Sequence, residues 1–405
     1  MWVLAVPDFS FTEEQELFRK TVREFCEKEI EPRAREIDEK AEIPDVVIKG
    51  MAKLGLMGIM VSSEYGGSEA DAVTAAIAAE EIARADISCA TAVYYLVQAG
   101  WSYIFDKYGK PEWKEEILPK LTKGEAWVGI ATTEPGGGSD LAGMKTTMKK
   151  VDGKWILNGE KAYISGVREA LKYGGVHMTL VKTAPELGHR GMTFVALPIK
   201  GTKGIETSLF EDMGRMGIST GAFKMDNVEV DEKWIVGELN RGFYYAMEGF
   251  NVARVFVAAA CVGAAEKALE IGMEYIKQRT AFGVPIAKYE GIQFNLADQA
   301  TKLEAAKLLV YRAAWAVDQF YKGKMKVSDV NKYVAMAKLV APLWAFDLIK
   351  DVMIWHGAYG YTKECPLEMG LRGVMSYCIG AEGAQNIMRI IIGRELLGRE
   401  YMPYK

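Results

Sequence analysis

The chain has 405 residues and a formal net charge of −4, with half of its residues hydrophobic and 26% charged. That length exceeds one small core and predicts two or three structural units, while the mild acidity gives no basic footprint for a nucleic-acid partner. Five scattered cysteines without a CxxC pair point to reduced thiols, three histidines without an HExxH pattern argue against a bound metal, and no apolar run reaches the ~20 residues of a membrane span. The stretch from Met1 to Asp8 lacks the charged region and long apolar core of a secretory leader, so the expected location is the cytoplasm.

Residues 10–125 are expected to be helical. Ser10-Phe-Thr-Glu-Glu-Gln supplies a cap and an acidic first turn, and Leu17, Val22, Phe25 and Cys26 recur at helical spacing. Ala72–Arg84 is rich in alanine and glutamate, which suits a second packed helix, and Ser63-Glu-Tyr-Gly-Gly-Ser68 breaks the chain before it. From 126 to 236 the texture changes to short runs: Lys154-Trp-Ile-Leu-Asn, Met178-Thr-Leu-Val, Met192-Thr-Phe-Val-Ala-Leu and Val228-Glu-Val. Glycine, proline and aspartate set them apart, which predicts a β-domain with short turns. Helical texture returns over 237–405, in Phe243–Thr280, Ile292–Lys322 and Val327–Trp355. The order predicts an α+β multidomain chain, helical over 1–125, β over 126–236 and helical over 237–405.

Four stretches carry candidate chemistry. Ala131-Thr-Thr-Glu-Pro-Gly-Gly-Gly-Ser-Asp140 sets three glycines before a serine, which lets backbone N–H groups close on a ligand or forms only a polar loop between strands. It is neither GxGxxG nor GxxxxGK[ST], so Rossmann and P-loop readings lose support. Gly159-Glu-Lys-Ala-Tyr-Ile-Ser-Gly166 places a tyrosine two residues before a hydroxyl, offering an aromatic face and a hydrogen bond to a planar ring, or merely a strand end. Arg279-Thr-Ala-Phe-Gly-Val-Pro285 ends a helix in a Phe-Gly turn; its arginine complements the helix C-terminus or grips phosphate. Gly357-Ala-Tyr-Gly-Tyr-Thr-Lys-Glu-Cys-Pro366 is followed by Gly380-Ala-Glu-Gly-Ala-Gln-Asn-Ile-Met-Arg389. There Glu382 sits on a glycine-flanked loop ahead of an apolar helix, either complementing the helix's positive end or free to swing onto a substrate.

In order, these stretches resemble the motifs of the acyl-CoA dehydrogenase family. The resemblance covers nearly the whole chain, from Asp8-Phe-Ser-Phe-Thr-Glu-Glu-Gln through Leu54-Gly-Leu-Met-Gly and Glu64-Tyr-Gly-Gly to the last helix. Thr-Glu-Pro-x-x-Gly-Ser-Asp and Arg-x-x-Phe-Gly are weak singly and specific together. The resemblance implies an N-terminal helical domain, a central β-domain, a C-terminal four-helix bundle and non-covalent FAD. It also implies a homotetramer with shared flavin sites and an electron-transferring flavoprotein as redox partner. By the same resemblance Ile130, Thr132 and Thr133 line the flavin ring, Tyr163 takes the family's usual tryptophan position, and Ser165 bonds near flavin N5. Arg279 and Phe282 match positions that hold the FAD pyrophosphate across a subunit contact, and Asn386 falls with the cofactor. Ser139, Arg254 and Gly383 fall to the acyl-CoA. Tyr94 and Tyr95 fall to the floor of the acyl pocket, where a large ring implies short, branched or ring-bearing acyl groups.

The family's catalytic base has two homes. Ala253 occupies the first, immediately before Arg254, and Glu382 fills the second. The implied reaction is α,β-dehydrogenation of an acyl-CoA thioester to a 2-enoyl-CoA, Glu382 removing the α-proton while the β-hydride passes to flavin N5. Enolate-like charge is then stabilised by a flavin hydroxyl and the Glu382 N–H. An acyl-CoA oxidase, an enoyl-CoA reductase and a catalytically inactive acyl-CoA-binding paralogue are the alternatives on the same fold. Departures from the family pattern include Gly166 for asparagine, Ile354 for glutamine, Ala358 for glycine and Gly373 for aspartate. Beside the base, Ala381 replaces an aromatic residue and Ala384 a threonine.

Overall fold

The structure, a computed structural model, describes residues 10–403. The leader reading of Met1 to Asp8, and the first two positions of the motif that begins at Asp8, lie outside the described residues. The first helix, α1 (Glu13–Phe25), opens on a capping box: Thr12 accepts from the Gln15 N–H and Gln15 Oε1 accepts from the Thr12 N–H, each at 3.1 Å. Helices α2 (Ala34–Lys40) and α3 (Asp45–Lys53) follow, then α4 (Ala72–Ala85), α5 (Ala90–Tyr108) and α6 (Pro111–Leu121).

Helix α4 is alanine-rich because other backbones come very close to it. A Cβ on Gly263 would overlap the Glu80 carbonyl oxygen. Its first turn is closed from a distance by Asp318, whose carboxylate accepts from Ala72 N at 2.7 Å and Val73 N at 3.2 Å. Helix α5 is held by the buried Asp86, which accepts from Thr91 N at 2.9 Å and Thr91 Oγ1 at 2.8 Å.

The middle of the chain forms an eight-stranded sheet in the order β6-β7-β3-β2-β4-β5-β8, with β1 beside β4 off that path. The strands are β1 (Trp127–Ala131), β2 (Thr147–Val151), β3 (Lys154–Ser165), β4 (Gly175–Lys182), β5 (Met192–Leu197), β6 (Ile205–Phe210), β7 (Thr220–Val230) and β8 (Ile235–Val236), and α7 (Val167–Tyr173) follows β3. Pairing is antiparallel except for β1 and β2 on β4. Lys154-Trp-Ile-Leu-Asn, expected as a short strand, opens a twelve-residue one that runs to Ser165. Its partner β7 supplies matching length, and irregular registers absorb the glycine and the turn residues inside it.

The C-terminal part is helical: α8 (Gly242–Gln278), α9 (Glu290–Tyr321), α10 (Val327–Trp355), α11 (Leu367–Ile379) and α12 (Gln385–Leu397), with the small hairpin β9 (Thr280–Ala281) and β10 (Val284–Pro285) after α8. Helices α8, α9 and α10 pack side by side, and α11 and α12 lie against α10. From Gly249 to Ala265 every residue of α8 is buried, because helices or sheet surround it and its alanines and glycines let them approach. Among the described residues no helix is long and apolar enough to cross a membrane. The helical, sheet and helical parts match the expected fold.

Candidate active site

A cavity of about 1330 Å³ opens between the end of the sheet, α5, α8 and the loop before α12. It gathers residues far apart in sequence: Ile130 from the end of β1, Thr132, Thr133 and Ser139 from the loop that follows, and Tyr163 and Ser165 from the end of β3. Arg254 from α8 and Glu382 and Gly383 from the last loop complete it.

The 132–146 loop is held by a buried ion pair. Glu134 accepts from Lys145 N at 2.6 Å and Thr146 N at 2.9 Å, and Lys161 Nζ on β3 meets its Oε1 at 3.1 Å and the Thr132 carbonyl at 3.2 Å. Burial pushes the Lys161 ammonium down to about 8 against the pull of Glu134. The Glu134 carboxyl still falls below its ordinary range despite its burial, because Lys161 and the two amides outweigh it. Within the loop, a Cβ on Gly138 would come within 2.9 Å of Thr133 Oγ1, so a larger residue there would make the Thr133 side chain shift.

Tyr163 lies at a register shift between β3 and β7, with φ of +60°. The irregularity turns its ring out of the sheet to 65% exposure, stacked on Phe210 with centroids 5.2 Å apart. Beneath this edge Trp127 fills the space that a side chain at position 166 would need. A Cβ on Gly166, at φ +83°, would overlap the Trp127 indole. The departure from asparagine at Gly166 is thus compensated by Trp127, a residue that sequence reasoning had not singled out. Trp127 Nε1 lies 3.3 Å from Nε2 of buried His177, whose imidazole burial holds down at about 4 and therefore neutral. A similar close approach explains Gly373, where a Cβ would overlap the Ser88 carbonyl.

Glu382 sits at φ +62°, between Ala381 at +45° and Gly383 at +118°. This left-handed run after α11 aims the side chain into the cavity, and Arg254 Nε grips the Glu382 carbonyl oxygen at 2.7 Å. The residue as a whole is half-buried, yet its Oε2 is fully buried without a hydrogen-bond partner. Burial pushes the carboxyl up to about 7, opposed first by Arg254 and then by the Trp101 indole N–H and Lys338. Trp101 Nε1 faces the carboxylate without reaching full hydrogen-bond geometry. Burial also pushes Arg254 down to about 10, leaving it charged at neutral pH. Ala253, the other home for a base, is buried against Gly100.

Three expected cofactor residues stand elsewhere. Arg279 and Phe282 lie on the β9–β10 hairpin outside the cavity, Phe282 98% exposed, and Asn386 is exposed on α12, accepting from Arg389 at 3.0 Å. The expected floor needs correction. Tyr94 is buried edge-on against Trp127 with centroids 5.1 Å apart, and Tyr95 donates to the Ala75 carbonyl at 2.8 Å. Neither ring lines the cavity; Val93, Leu96 and Val97 do, at i, i+3 and i+4 on the other face of α5. Adjacent positions on a helix point apart, and packing around α5 chose the aliphatic face. Val97→Phe is therefore expected to weaken kcat/KM for bulky acyl groups ~10-fold or more, and Tyr94→Phe and Tyr95→Phe to leave the acyl preference unchanged. Steady-state kinetics over an acyl-CoA series measures both.

The residues at this end of the cavity fit the ring end of a flavin: a broad pocket edged by strand-end hydroxyls, backbone and the glycine-rich loop. Its other occupants are Arg254 and the base-like Glu382. Sequence profiles of the acyl-CoA dehydrogenase N-terminal, middle and C-terminal domains match residues 12–125, 129–228 and 240–397. The chain is 38% identical over 392 residues to a 3-(aryl)acrylate reductase of Clostridium sporogenes, covering 96% of this chain and 99% of that one. It is 38% identical over 388 residues to an acyl-CoA dehydrogenase of Bacillus subtilis, covering 96% and 99%. A chain in a solved structure of the electron transferring flavoprotein of Acidaminococcus fermentans superposes with a TM-score of 0.89 at 31% identity, covering 96% of this chain and all of that one. The protein belongs to the acyl-CoA dehydrogenase family and is an FAD-dependent oxidoreductase.

Proposed function

We propose that this chain, with domains over 1–125, 126–236 and 237–405, interconverts an acyl-CoA thioester and its 2-enoyl-CoA, with Glu382 as the group that exchanges the α-proton. The observation that carries this reading is the buried, unpartnered Glu382 Oε2 inside the cavity, on a carboxyl pushed up to about 7. A thioester Cα–H is a weak acid, so a desolvated carboxylate must work together with donors to the thioester oxygen. The Glu382 N–H supports that role, since no acceptor takes it among the described residues. Bound FAD supplies the hydride acceptor for Cβ. Ile130, Thr132, Thr133, Tyr163 and Ser165 hold the ring end, while Ser139, Arg254 and Gly383 lie beside the thioester arm.

The opposite direction is a second reading of the same residues, supported by the reductase of Clostridium sporogenes. A carboxyl near neutrality serves as base when ionised and as acid when protonated. The two directions have opposite pH signatures. Dehydrogenation needs the carboxylate and is expected to rise with pH through about 7, whereas enoyl-CoA reduction needs the acid form and is expected to fall through it. Anaerobic flavin reduction by a panel of straight, branched and cyclic acyl-CoAs, and reoxidation by the matching enoyl-CoAs, reads both. Absence of exchange with every thioester at all pH values would leave an acyl-CoA-binding paralogue; rapid reoxidation by O2 would instead mark an oxidase.

The aliphatic face of α5 and the Phe250 ring, which both line the cavity, support short, branched or ring-bearing acyl groups. The exposed hairpin with Arg279 and Phe282 supports a homotetramer in which it reaches a neighbour's FAD. The likeness to a chain in a solved structure of an electron transferring flavoprotein, and to a subunit of a caffeyl-CoA reductase-Etf complex, supports such a protein as redox partner.

A further inference from the structure

The loop that carries Glu382 has little hydrogen bonding of its own. Helix α11 ends at Ile379, α12 begins at Gln385 without a side-chain cap, and Ala381, Glu382 and Gly383 between them all take positive φ. Left-handed backbone at two successive non-glycine residues persists only where its surroundings over-determine it. The surroundings here are two buried cations. Arg254 takes the Glu382 carbonyl, and Lys338 of α10, fully buried, takes the rest: its Nζ donates to the Tyr377 carbonyl at 3.0 Å, to Gly380 at 2.8 Å and to Gly383.

All three Lys338 donors are thus spent on the one segment that bears the base. No carboxylate forms an ion pair with this ammonium among the described residues, and Lys338 does not line the cavity. A buried ammonium is expensive to desolvate unless its protons are all accepted, so the three carbonyls and the cation hold each other in place. We infer that Lys338 is the positioning residue of the proton-exchanging loop, fixing the Tyr377, Gly380 and Gly383 carbonyls so that Glu382 stays in the conformation that faces the cavity.

The charges around the pair are few. Glu382 is faced by Arg254 from α8 and Lys338 from α10, with the neutral Trp101 from α5; Lys338 is faced by Arg254, Cys261, Cys378 and Glu382. Burial and Arg254 push Lys338 down to about 8, so it is still largely protonated at neutral pH. Its removal leaves Glu382 with one cation fewer to favour the carboxylate.

Lys338→Met keeps the side-chain length and removes the donors. In this variant peptides spanning 380–384 are expected to exchange amide hydrogen faster than in wild type, with acyl-CoA binding within a few-fold of normal. Anaerobic flavin reduction is expected to slow roughly 10²-fold, the scale of a misplaced reacting group, and the midpoint of its pH dependence to move upward. Lys338→Arg, which keeps charge and donors, is expected to recover part of the rate. If Lys338→Met gives no folded protein, Lys338→Gln is measured in the same way. Because the kinetic reading rests on Glu382 as the base, hydrogen exchange separates the two ideas. Should wild-type flavin exchange electrons with no thioester, faster exchange in the variant still upholds the anchoring. Wild-type exchange in the folded variant overturns it, whatever the activity.

Discussion

Glu382→Gln is expected to bind FAD and acyl-CoA as the wild type does, while anaerobic reduction by substrate slows at least ~10²–10⁴-fold, the range for loss of a general base. The amide preserves shape and takes no proton, and the only other family position for a base holds Ala253. Reduction at the wild-type rate would move the proton exchange to another residue. The same substitution has a second readout. The Glu382 carboxyl is pushed up to about 7 in the folded chain, above its ordinary value, so the folded state favours its protonated form. Its contribution to stability is therefore complete below the unfolded pKa and is lost as pH rises through about 7. Glutamine stays neutral. The variant is expected to be more resistant to denaturant than wild type at pH 8 and to lose that advantage by pH 5. Activity lost together with a gain in stability is the behaviour of a strained, desolvated catalytic group, and it separates this outcome from misfolding.

Lys161→Met is expected to destabilise the protein by ~3–5 kcal/mol, the usual penalty for breaking a buried ion pair and leaving one charge unpaired. Glu134 remains buried at 7% exposure with two amide donors and no cation. The damage should not stay local. The segment tied down by this pair includes Thr132, Thr133 and Ser139, so flavin content is expected to fall along with the denaturation midpoint. Adding Glu134→Gln removes the stranded charge and is expected to return part of the stability. Equilibrium denaturation and flavin stoichiometry across the wild type, both single variants and the double variant measure the coupling. Additive single effects would show that the pair acts separately.

Much of the architecture is legible in the sequence, because it depends on periodicity and local chemistry. The cap at Thr12, the alanine-rich run that became α4, the long uninterrupted runs that became α8, α9 and α10, and the Met192–Leu197 strand each follow from patterns a few residues wide. The motifs also reach the same cavity: Thr132, Ser139, Tyr163, Ser165, Arg254 and Glu382 converge there. The Tyr94 and Tyr95 expectation shows where this reading stops. Nothing in Thr91-Ala-Val-Tyr-Tyr-Leu-Val-Gln98 says which face of α5 meets the cavity, since the polar Thr91 and Gln98 are buried along with the apolar residues. Without an exposed face to set against a buried one, periodicity carries no orientation.

What the sequence by itself determined is the element order and the identity of the chemical groups, including a glutamate on a glycine-flanked loop ahead of the last helix. Only the tertiary structure decided how those groups behave. Burial raises Glu382 and lowers Arg254, Lys338 and Lys161, through neighbours that lie far away along the chain. It also decided which departures are tolerated, since Gly166 and Gly373 answer to Trp127 and Ser88 rather than to any residue beside them in sequence. The physical reason is the same in each case: helix and strand formation depend on near neighbours, whereas desolvation and close packing are set by whichever surfaces the folded chain brings together.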